Sequence, residues 1–374
     1  MAGNEWRYVK ECLDTGWVSS VGSFVDRFER EFAARVGARF AVAMGSGTAA
    51  LHVATLTAGI GAGDEVITPA VTFVAPLNAV RYTGAWPVVV DVEPDYWQLD
   101  PQQARRFLDE DCERRGAAVV NRHTGRRVRA ILPVDILGHP ADLDAVRQLA
   151  DDFSLTVIED ATESLGALYK ERPLGQISPV TCFSFNGNKL ITTGGGGMLV
   201  CDDEGTAQRA RYLATQAKDD PVEYVHAAVG YNYRLTNVLA AMGCAQLEQL
   251  DSFVAKKRAI AARYVDSFRD LPGITPMREA PWAHSAFWMF TVLVDEAQFG
   301  MDSRALLRRL GEQKIQARPL WEPMHRSAAH AGAWSRPCPV GESIHSRALS
   351  LPCSVGLTHE DQERVIAAVR AAAR

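Results

Sequence analysis

Lys189 is the residue whose surroundings first point to chemistry. It lies in CFSFNGNKLITTGGGGMLV (182–200), after a short apolar and aromatic run and before two threonines and four consecutive glycines. A lysine whose setting lowers its pKa can attack an aldehyde as a nucleophile. The alternative is a lysine that is simply solvated at the surface. A Walker loop does not fit, because that motif places its lysine after the glycines.

Two further segments have residue types that bind an anion or hold a proton. GSGTAAL (45–51) has the pattern of a strand-to-helix turn, where exposed N–H groups bind phosphate, although a tight turn without a ligand is the alternative. VIEDATESLGA (157–167) ends an apolar run with Glu159 and Asp160, and Glu163 follows shortly after. A carboxylate in an apolar setting needs a partner, which is either a ligand or, if Asp160 caps a helix, the N–H groups of that helix.

Phe73, in TPAVTFVAP, is the fourth feature, since a ring after a strand can lie against a flat cofactor. Its alternative place is the core. A lysine, a phosphate-binding helix start, an aromatic ring and a buried carboxylate are together what pyridoxal 5′-phosphate (PLP) requires. The lysine attaches the cofactor, the carboxylate keeps the pyridine nitrogen protonated, and the helix start holds the phosphate. Their co-occurrence, in this order, predicts a PLP site.

Alternating strands and helices are expected to position these residues. Runs such as RFAVAMG, DEVITP, WPVVVDV, RAILPVDIL and LTVIED alternate with helical runs up to about residue 235. The alternation predicts a mostly parallel sheet covered by helices on both faces. Ligands bind at the carboxyl ends of such strands, so the turns GSGT, PAVTF and EDATE are the ones to inspect.

Several local elements can also be predicted. Phe24, Phe28 and Phe32 recur every four residues and indicate the buried face of one helix. ARRFLDEDCE is predicted to be helical, 119–130 to be a hairpin with HTG at its turn, and 236–271 to be one long helix. The predicted units are an N-terminal arm (1–20), a large α/β cofactor-binding domain (21–240) and a smaller C-terminal α+β domain (241–374).

Composition limits the class of protein. The 374 residues are 47% hydrophobic and 23% charged, which is typical of a folded globular chain. A net charge of -5 argues against nucleic acid as the main partner. Seven cysteines without a CxxC pair favour reduced thiols in the cytoplasm over disulfides or a metal site. A polar N-terminus and the lack of an apolar run of about 20 residues predict neither a signal peptide nor a membrane span.

Four motifs, TPAVTFVAPLNAV, EDATESLGA, FSFNGNK…TTGGGGM and GYNYRLTN, resemble those of a known family. The chain resembles the DegT/DnrJ-type sugar aminotransferases over nearly its whole length, from GWVSS (16–20) to the LPC segment near residue 351. This resemblance implies the PLP-dependent transferase fold of type I, with a seven-stranded type of sheet. It also implies an obligate homodimer with shared active sites.

The resemblance assigns roles to single residues. Lys189 is implied to form the Schiff base with PLP, and Asp160 to pair with the pyridinium nitrogen. Glu163, where many relatives have glutamine or histidine, is implied to lie near the ring hydroxyl and the substrate. The other implied cofactor contacts are stacking by Phe73, phosphate contacts by Gly47, Thr48 and Ser184, and a phosphate contact in the neighbouring subunit by Asn232. The candidate substrate contacts are Asn186, Asn188, Lys218, Arg318, Trp321 and His325.

A lysine at position 189 distinguishes two reactions in this family. A branch that removes a sugar hydroxyl has histidine there, so the lysine implies amino transfer. The expected donor is L-glutamate, and the expected acceptor is C4 of a nucleotide-linked 4-keto-6-deoxy sugar for cell-surface polysaccharide or glycan biosynthesis. EDATESLGA, FSFNGNK, TQAKDD, GYNYRLTN and PLWEPMH resemble enzymes that act on UDP-4-keto-6-deoxy-N-acetylglucosamine in bacillosamine- or legionaminic-acid-type pathways. GDP- and dTDP-linked sugars are the alternatives.

Two other classes of function fit the sequence less well. A PLP-binding sensor without catalysis is disfavoured by the Lys189–Asp160 pair and by the lack of a visible DNA-binding extension. A nucleotide-binding dehydrogenase needs GxGxxG, and GSGTAAL lacks the third glycine.

Overall fold

A central sheet of ten strands organises the structure, a computed structural model that describes residues 1, 3–220 and 222–373. In chain order, the helices are α1 (Glu5–Thr15), α2 (Ser23–Val36), α3 (Gly47–Thr57), α4 (Ala75–Tyr82), α5 (Pro101–Arg106), α6 (Leu143–Phe153), α7 (Glu204–Ala214), α8 (Asn237–Leu247), α9 (Leu250–Phe268), α10 (Glu296–Phe299), α11 (Ser303–Glu312), α12 (Pro339–Arg347) and α13 (His359–Arg370).

The strands vary in length from two to six residues. In chain order, they are β1 (Phe40–Met44), β2 (Asp64–Pro69), β3 (Trp86–Val90), β4 (Cys112–Arg115), β5 (Ala118–Asn121), β6 (Arg127–Ile131), β7 (Thr156–Asp160), β8 (Leu168–Tyr169), β9 (Arg172–Pro173), β10 (Val180–Ser184), β11 (Gly197–Cys201), β12 (Ile274–Pro276), β13 (Ala283–His284), β14 (Phe290–Val294), β15 (Arg318–Pro319), β16 (Trp334–Ser335) and β17 (Ala348–Leu351).

The large sheet has the strand order β1-β11-β10-β7-β6-β2-β3-β16, with β5 on β6 and β4 on β5. Neighbours from β10 to β16 run parallel, whereas β11 runs antiparallel to both β1 and β10. The seven strands from β1 to β3 in this order match the predicted seven-stranded α/β sheet. The fold prediction is therefore confirmed, with β16 and the β4–β5 pair as additions.

Helix α2 covers the part of the sheet that leads to the site. Phe28 and Phe32 are fully buried, and their rings lie 5.0 Å from Phe185 and 5.1 Å from Phe183 respectively, centroid to centroid. Phe24 shares the same buried face. The predicted spacing of aromatic residues on this helix is confirmed, and this packing fixes the strand that precedes Lys189.

Two predicted helices differ in extent from the structure. Helix α5 ends at Arg106, a π-helical turn follows, and Cys112 begins β4 because that segment pairs with β5. The predicted hairpin is present as β5 and β6, so β4 makes it three-stranded. The segment 236–271 forms two helices, because α8 packs against α1 and α2 whereas α9 contacts β12 and α13.

The C-terminal part has its own antiparallel sheet, β12-β14-β17-β15, packed against α9, α11 and α13. Two connections join it to the large sheet. Strand β16 pairs with β3, and the N–H groups of Val340 and Gly341 donate to Asp91. The division at residue 240 falls inside α8, and the predicted arm contains α1; both boundaries stay predictions.

Within the described residues, no helix combines the length and the apolar character that a membrane crossing requires.

Candidate active site

Lys189 lies in the turn that connects β10 to β11. Its N–H donates to the carbonyl of Asn186 at 3.0 Å, which holds the turn in place. The side chain is 12% exposed, and its Nζ lies 3.8 Å from Oε1 of Glu163 and 4.1 Å from the ring centroid of Trp288. The amine is therefore held in a nearly closed setting, and not solvated at the surface.

The glycine run after Lys189 lets three segments approach one another. Gly194 has φ +83°, a conformation that favours glycine. A Cβ atom on Gly197 would lie 2.4 Å from the carbonyl oxygen of Ser46, and one on Gly47 would lie 2.8 Å from Cβ of Ser184. The glycines thus allow the start of α3 to pack against the carboxyl end of β10. This close packing explains the glycines better than a need to leave the Lys189 amine open to a ligand.

The start of α3 has free N–H groups. Ser46 caps the helix, since its Oγ accepts from the N–H of Ala49 at 3.0 Å. The first bond inside the helix runs from Ala50 to Ser46, so the N–H groups of Gly47 and Thr48 precede it and have no partner within the helix. The predicted anion-binding helix start is present here, and Ser46 is a residue that its N-cap pattern could have revealed.

Asp160 is the last residue of β7 and is 1% exposed. Its Oδ1 accepts from the N–H of Thr162 at 3.0 Å, and the residues after it form turns, so Asp160 is not the cap of a helix. Burial raises the pKa of Asp160, while the charge of Lys189 lowers it. In register, Asp160 pairs with Cys182 of β10, which places it near the strand end that leads to Lys189.

Glu163 is a second buried carboxyl group in the same place. It is 5% exposed, and its Oε2 accepts from the N–H of Leu137 at 2.8 Å. Burial raises the pKa of Glu163 to about 7, although the charge of Lys189 and the Leu137 bond act in the opposite direction. This group therefore titrates near neutral pH within reach of the lysine amine.

Replacement of Glu163 by glutamine is expected to remove a pH dependence of stability. The folded protein keeps the Glu163 proton up to about pH 7, whereas the unfolded chain loses it near the ordinary pKa of 4.5. Wild-type stability thus falls as the pH rises through this window. The excess unfolding free energy of Glu163→Gln should grow by about 2 kcal/mol between about pH 5.5 and 8.5.

Chemical denaturation of the cofactor-free protein at the two pH values measures this difference. Glu312→Gln, at an exposed position on α11, is the matched control and should show no such growth. A Glu163→Gln difference that stays constant with pH would mean that Glu163 is already ionised in the folded protein at the lower pH.

One cavity of about 410 Å³ collects most of the predicted site residues. Those that line it are Gly47, Thr48, Phe73, Asp160, Glu163, Ser184, Asn186, Asn188, Lys189 and Trp321. Phe73 is 52% exposed, with its ring 6.3 Å from that of Trp321, so it lies at the cavity and not in the core.

The remaining four predicted residues lie outside this cavity in the single chain. Arg318 lines a neighbouring cavity. Nε2 of His325 lies 2.8 Å from Oε1 of Glu342, and Nζ of Lys218 lies 4.9 Å from the ring centroid of Tyr224. Asn232 is exposed and pairs with Thr215 in a short bridge. Their roles stay predictions, and for Asn232 the prediction concerns a second subunit.

Trp288 and Thr72 line the cavity as well and were not predicted. Trp288 donates through Nε1 to the carbonyl of Asn188 at 2.8 Å, and it comes from a segment distant in sequence that has no catalytic pattern. Thr72 adjoins Phe73 in the PAVTF turn, and this position was a sequence signal from which it could have been predicted. Its buried Oγ1 has no hydrogen-bond partner among the described residues.

The cavity residues fit PLP. The helix start, Ser184 and the unpartnered hydroxyl of Thr72 can hold a phosphate, and the space kept clear by Gly47 lets that group approach the backbone. Asp160 is a buried carboxylate that could pair with a ring nitrogen, and Lys189 could supply the amine. No group of three or more His, Cys, Asp or Glu side chains is arranged for a metal ion in the described ranges of the chain.

Comparisons with known proteins agree with this chemistry. Residues 1–370 match the model of the DegT/DnrJ/EryC1/StrS aminotransferase family. A Bacillus subtilis (strain 168) protein named as pyridoxal phosphate-dependent aminotransferase EpsN is 39% identical over 98% of this chain and 92% of its own length. A GDP-perosamine synthase of Caulobacter vibrioides is 38% identical over 98% of this chain and 95% of its own length.

A solved structure has the same fold. The crystal structure of DesV from S. venezuelae superposes with a TM-score of 0.88 at 35% identity, covering 99% of this chain and 95% of DesV. This chain therefore resembles a known aminotransferase in its three-dimensional fold as well as in its sequence. The protein is an enzyme that uses PLP for amino transfer, and the chain belongs to the DegT/DnrJ/EryC1/StrS aminotransferase family.

Proposed function

We propose that this aminotransferase moves an amino group from L-glutamate to C4 of a nucleotide-linked 4-keto-6-deoxy sugar. The observation that carries the proposal is that Lys189 and Asp160 line one cavity together with the start of α3. The preferred acceptor is UDP-4-keto-6-deoxy-N-acetylglucosamine, because EDATESLGA, FSFNGNK and PLWEPMH resemble enzymes for that substrate. The product would serve cell-surface polysaccharide or glycan biosynthesis.

A GDP-linked keto sugar is the second candidate acceptor. Relatives named GDP-perosamine synthase from Caulobacter vibrioides and Escherichia coli O157:H7 are 38% and 36% identical to this chain. A dTDP-linked keto sugar is the third candidate. It has weaker support, from a structure of DesI with its TDP-sugar product at 28% identity and a TM-score of 0.88. The nucleotide is thus the point at which the candidates differ.

The chain's own residues have distinct parts in this reaction. PLP supplies a ring that draws electrons from the carbon that reacts. Asp160 keeps the ring nitrogen protonated, the start of α3 holds the phosphate, and Phe73 limits movement of the flat ring. Lys189 would take the proton from the donor α-carbon and deliver it to C4′ of the cofactor, and the Trp288 ring beside its Nζ keeps water away. Glu163, with a pKa of about 7, can exchange a proton with Lys189.

The proposal includes a homodimer with shared active sites. Trp6, Leu13 and Trp17, on and just after α1, are 76%, 59% and 58% exposed. Val222, at 77%, and Val229, at 80%, are exposed in the segment before Asn232. Exposed apolar groups of this size favour a protein partner, and the position of Asn232 beside them supports its reach into a second subunit.

A panel of acceptors tests the proposed reaction. The enzyme is incubated with glutamate and UDP-, GDP- or dTDP-linked 4-keto sugars, and products are identified by mass and NMR. We expect the amino sugar from the UDP-linked substrate, and Lys189→Ala serves as the inactive control. Product from the GDP-linked substrate alone would favour the second candidate. A cofactor absorbance that glutamate does not change, with no product, would instead indicate a PLP-binding sensor.

A further inference from the structure

A second cavity adjoins the first behind Lys189. Its volume is about 650 Å³, and Asn188, Lys189 and Trp288 form a wall common to both cavities. The opposite side is built by α9, by the end of β17 and the residues after it, and by Gln316 and Arg318 at the start of β15. A ligand group bound there would therefore lie next to the lysine that reacts.

The wall of this cavity is basic and contains no acidic residue. Besides Lys189, it includes Lys256, Lys257 and Arg318, and none of its lining residues, all of them within the described chain, is Asp or Glu. These three side chains also form none of the ion pairs found in residues 1, 3–220 and 222–373. In a chain with a net charge of -5, such a concentration of positive charge is unusual and favours an anion.

The buried position of Lys257 is the strongest evidence that this cavity binds an anion. It is 4% exposed, and its Nζ donates to the carbonyl of Trp288 at 2.7 Å, to the carbonyl of Cys353 and to Sγ of Cys353 at 3.1 Å. All three N–H groups of the ammonium are thus used, yet no carboxylate in the described part of the chain forms an ion pair with it. A buried cation without a counter-charge is unfavourable unless an anion lies close by.

The first cavity lacks the positive charge needed to bind the negative groups of the substrates. The only basic residue among the described residues that line it is Lys189, which is occupied with proton transfer. Both substrates of the proposed reaction are anions: glutamate has two carboxylates, and a sugar nucleotide has a diphosphate. Lys256, Lys257 and Arg318 of the second cavity offer these negative groups the positive charge that the first cavity lacks.

We propose that the second cavity is an anion subsite used in both half-reactions. It takes a carboxylate of the amino donor in the first half-reaction and the diphosphate of the sugar nucleotide in the second. Lys256 and Arg318, which are exposed at its surface, make the contacts, and Lys257 adds charge from below. This inference rests on the proposed function, and it adds the place where both substrates bind their negative groups.

Inorganic diphosphate is the probe for this subsite. Calorimetric titration of the PLP-loaded enzyme is expected to show binding, because the phosphate site at α3 is already filled by the cofactor. Arg318→Gln and Lys256→Gln should each weaken this binding by about five- to tenfold, as the loss of one charged contact does. Arg308→Gln, an exposed arginine on α11 outside both cavities, is the matched control and should bind as the wild type does.

Kinetics of the two half-reactions show whether the subsite binds glutamate, the sugar nucleotide or both. Arg318→Gln should raise KM for glutamate and for the sugar nucleotide by a similar factor with little change in kcat, and diphosphate should compete with both. An effect on one substrate only would overturn the shared use of the subsite. Equal diphosphate binding by the wild type and both variants would overturn the subsite itself. If no sugar is aminated but diphosphate binding still depends on Arg318, the proposed function fails while the anion subsite stands.

Discussion

Lys189→Ala is expected to abolish amino transfer, with a loss of turnover on the order of 10⁴-fold. Of the lysines that the structure describes, Lys189 alone lines the cavity with Asp160. In the proposed mechanism, the cofactor would then lose its covalent attachment, and the donor α-carbon would lose the base that takes its proton. Product formation from glutamate and the keto sugar measures turnover, and borohydride reduction followed by mass analysis measures attachment.

The fold should survive this substitution. Lys189 holds its turn through a backbone N–H, and alanine keeps that bond. The circular dichroism spectrum and the assembly should thus match the wild type. Lys314→Ala, at an exposed position after α11, is the control and should retain full turnover. Near wild-type turnover by Lys189→Ala would remove Lys189 from the mechanism.

Asp160→Asn is expected to slow the half-reaction with glutamate by at least about 10²-fold while leaving the cofactor attached. The asparagine oxygen can still accept from the N–H of Thr162, so the local turn is kept. A neutral amide, however, cannot stabilise the proton on the ring nitrogen, and the ring then draws electrons poorly. Stopped-flow absorbance after mixing with glutamate measures this rate.

Asp26→Asn, at an exposed position on α2, controls for the loss of one charge from the chain. Its rate should equal that of the wild type. If Asp160→Asn also reacts at the wild-type rate, the ring nitrogen does not depend on this carboxylate and its assigned role is wrong. If attachment is lost together with the rate, Asp160 contributes to cofactor binding more than to reactivity.

The alternation of strands and helices was sufficient to predict the large sheet and the edge where the site lies. In a parallel sheet the carboxyl ends of strands meet, so Asp160 after β7, the start of α3 after β1 and Lys189 after β10 had to come together. They do so in one cavity although more than a hundred residues separate the start of α3 from Lys189. The residue types and the positions of the strands could both be read from short stretches of sequence, so this part of the site could be predicted.

Contacts from the C-terminal part could not be predicted in this way. Trp288, which lies against Lys189, belongs to a segment whose pattern indicates only a strand, and Lys257 lies on a helix that reads as continuous with its neighbour. Their positions depend on how α9 and β14 pack against the large sheet. Such packing is set by long-range contacts, which a local pattern does not encode. The same reason applies to β16, whose two residues extend the large sheet.

The site at which PLP is attached is the most direct test of the role proposed for Lys189. The holoenzyme is reduced with borohydride and digested, and the modified peptide is sequenced by mass spectrometry. We expect one modified lysine, Lys189, within 182–200. Modification of another lysine, such as the buried Lys257, or of none, would contradict it.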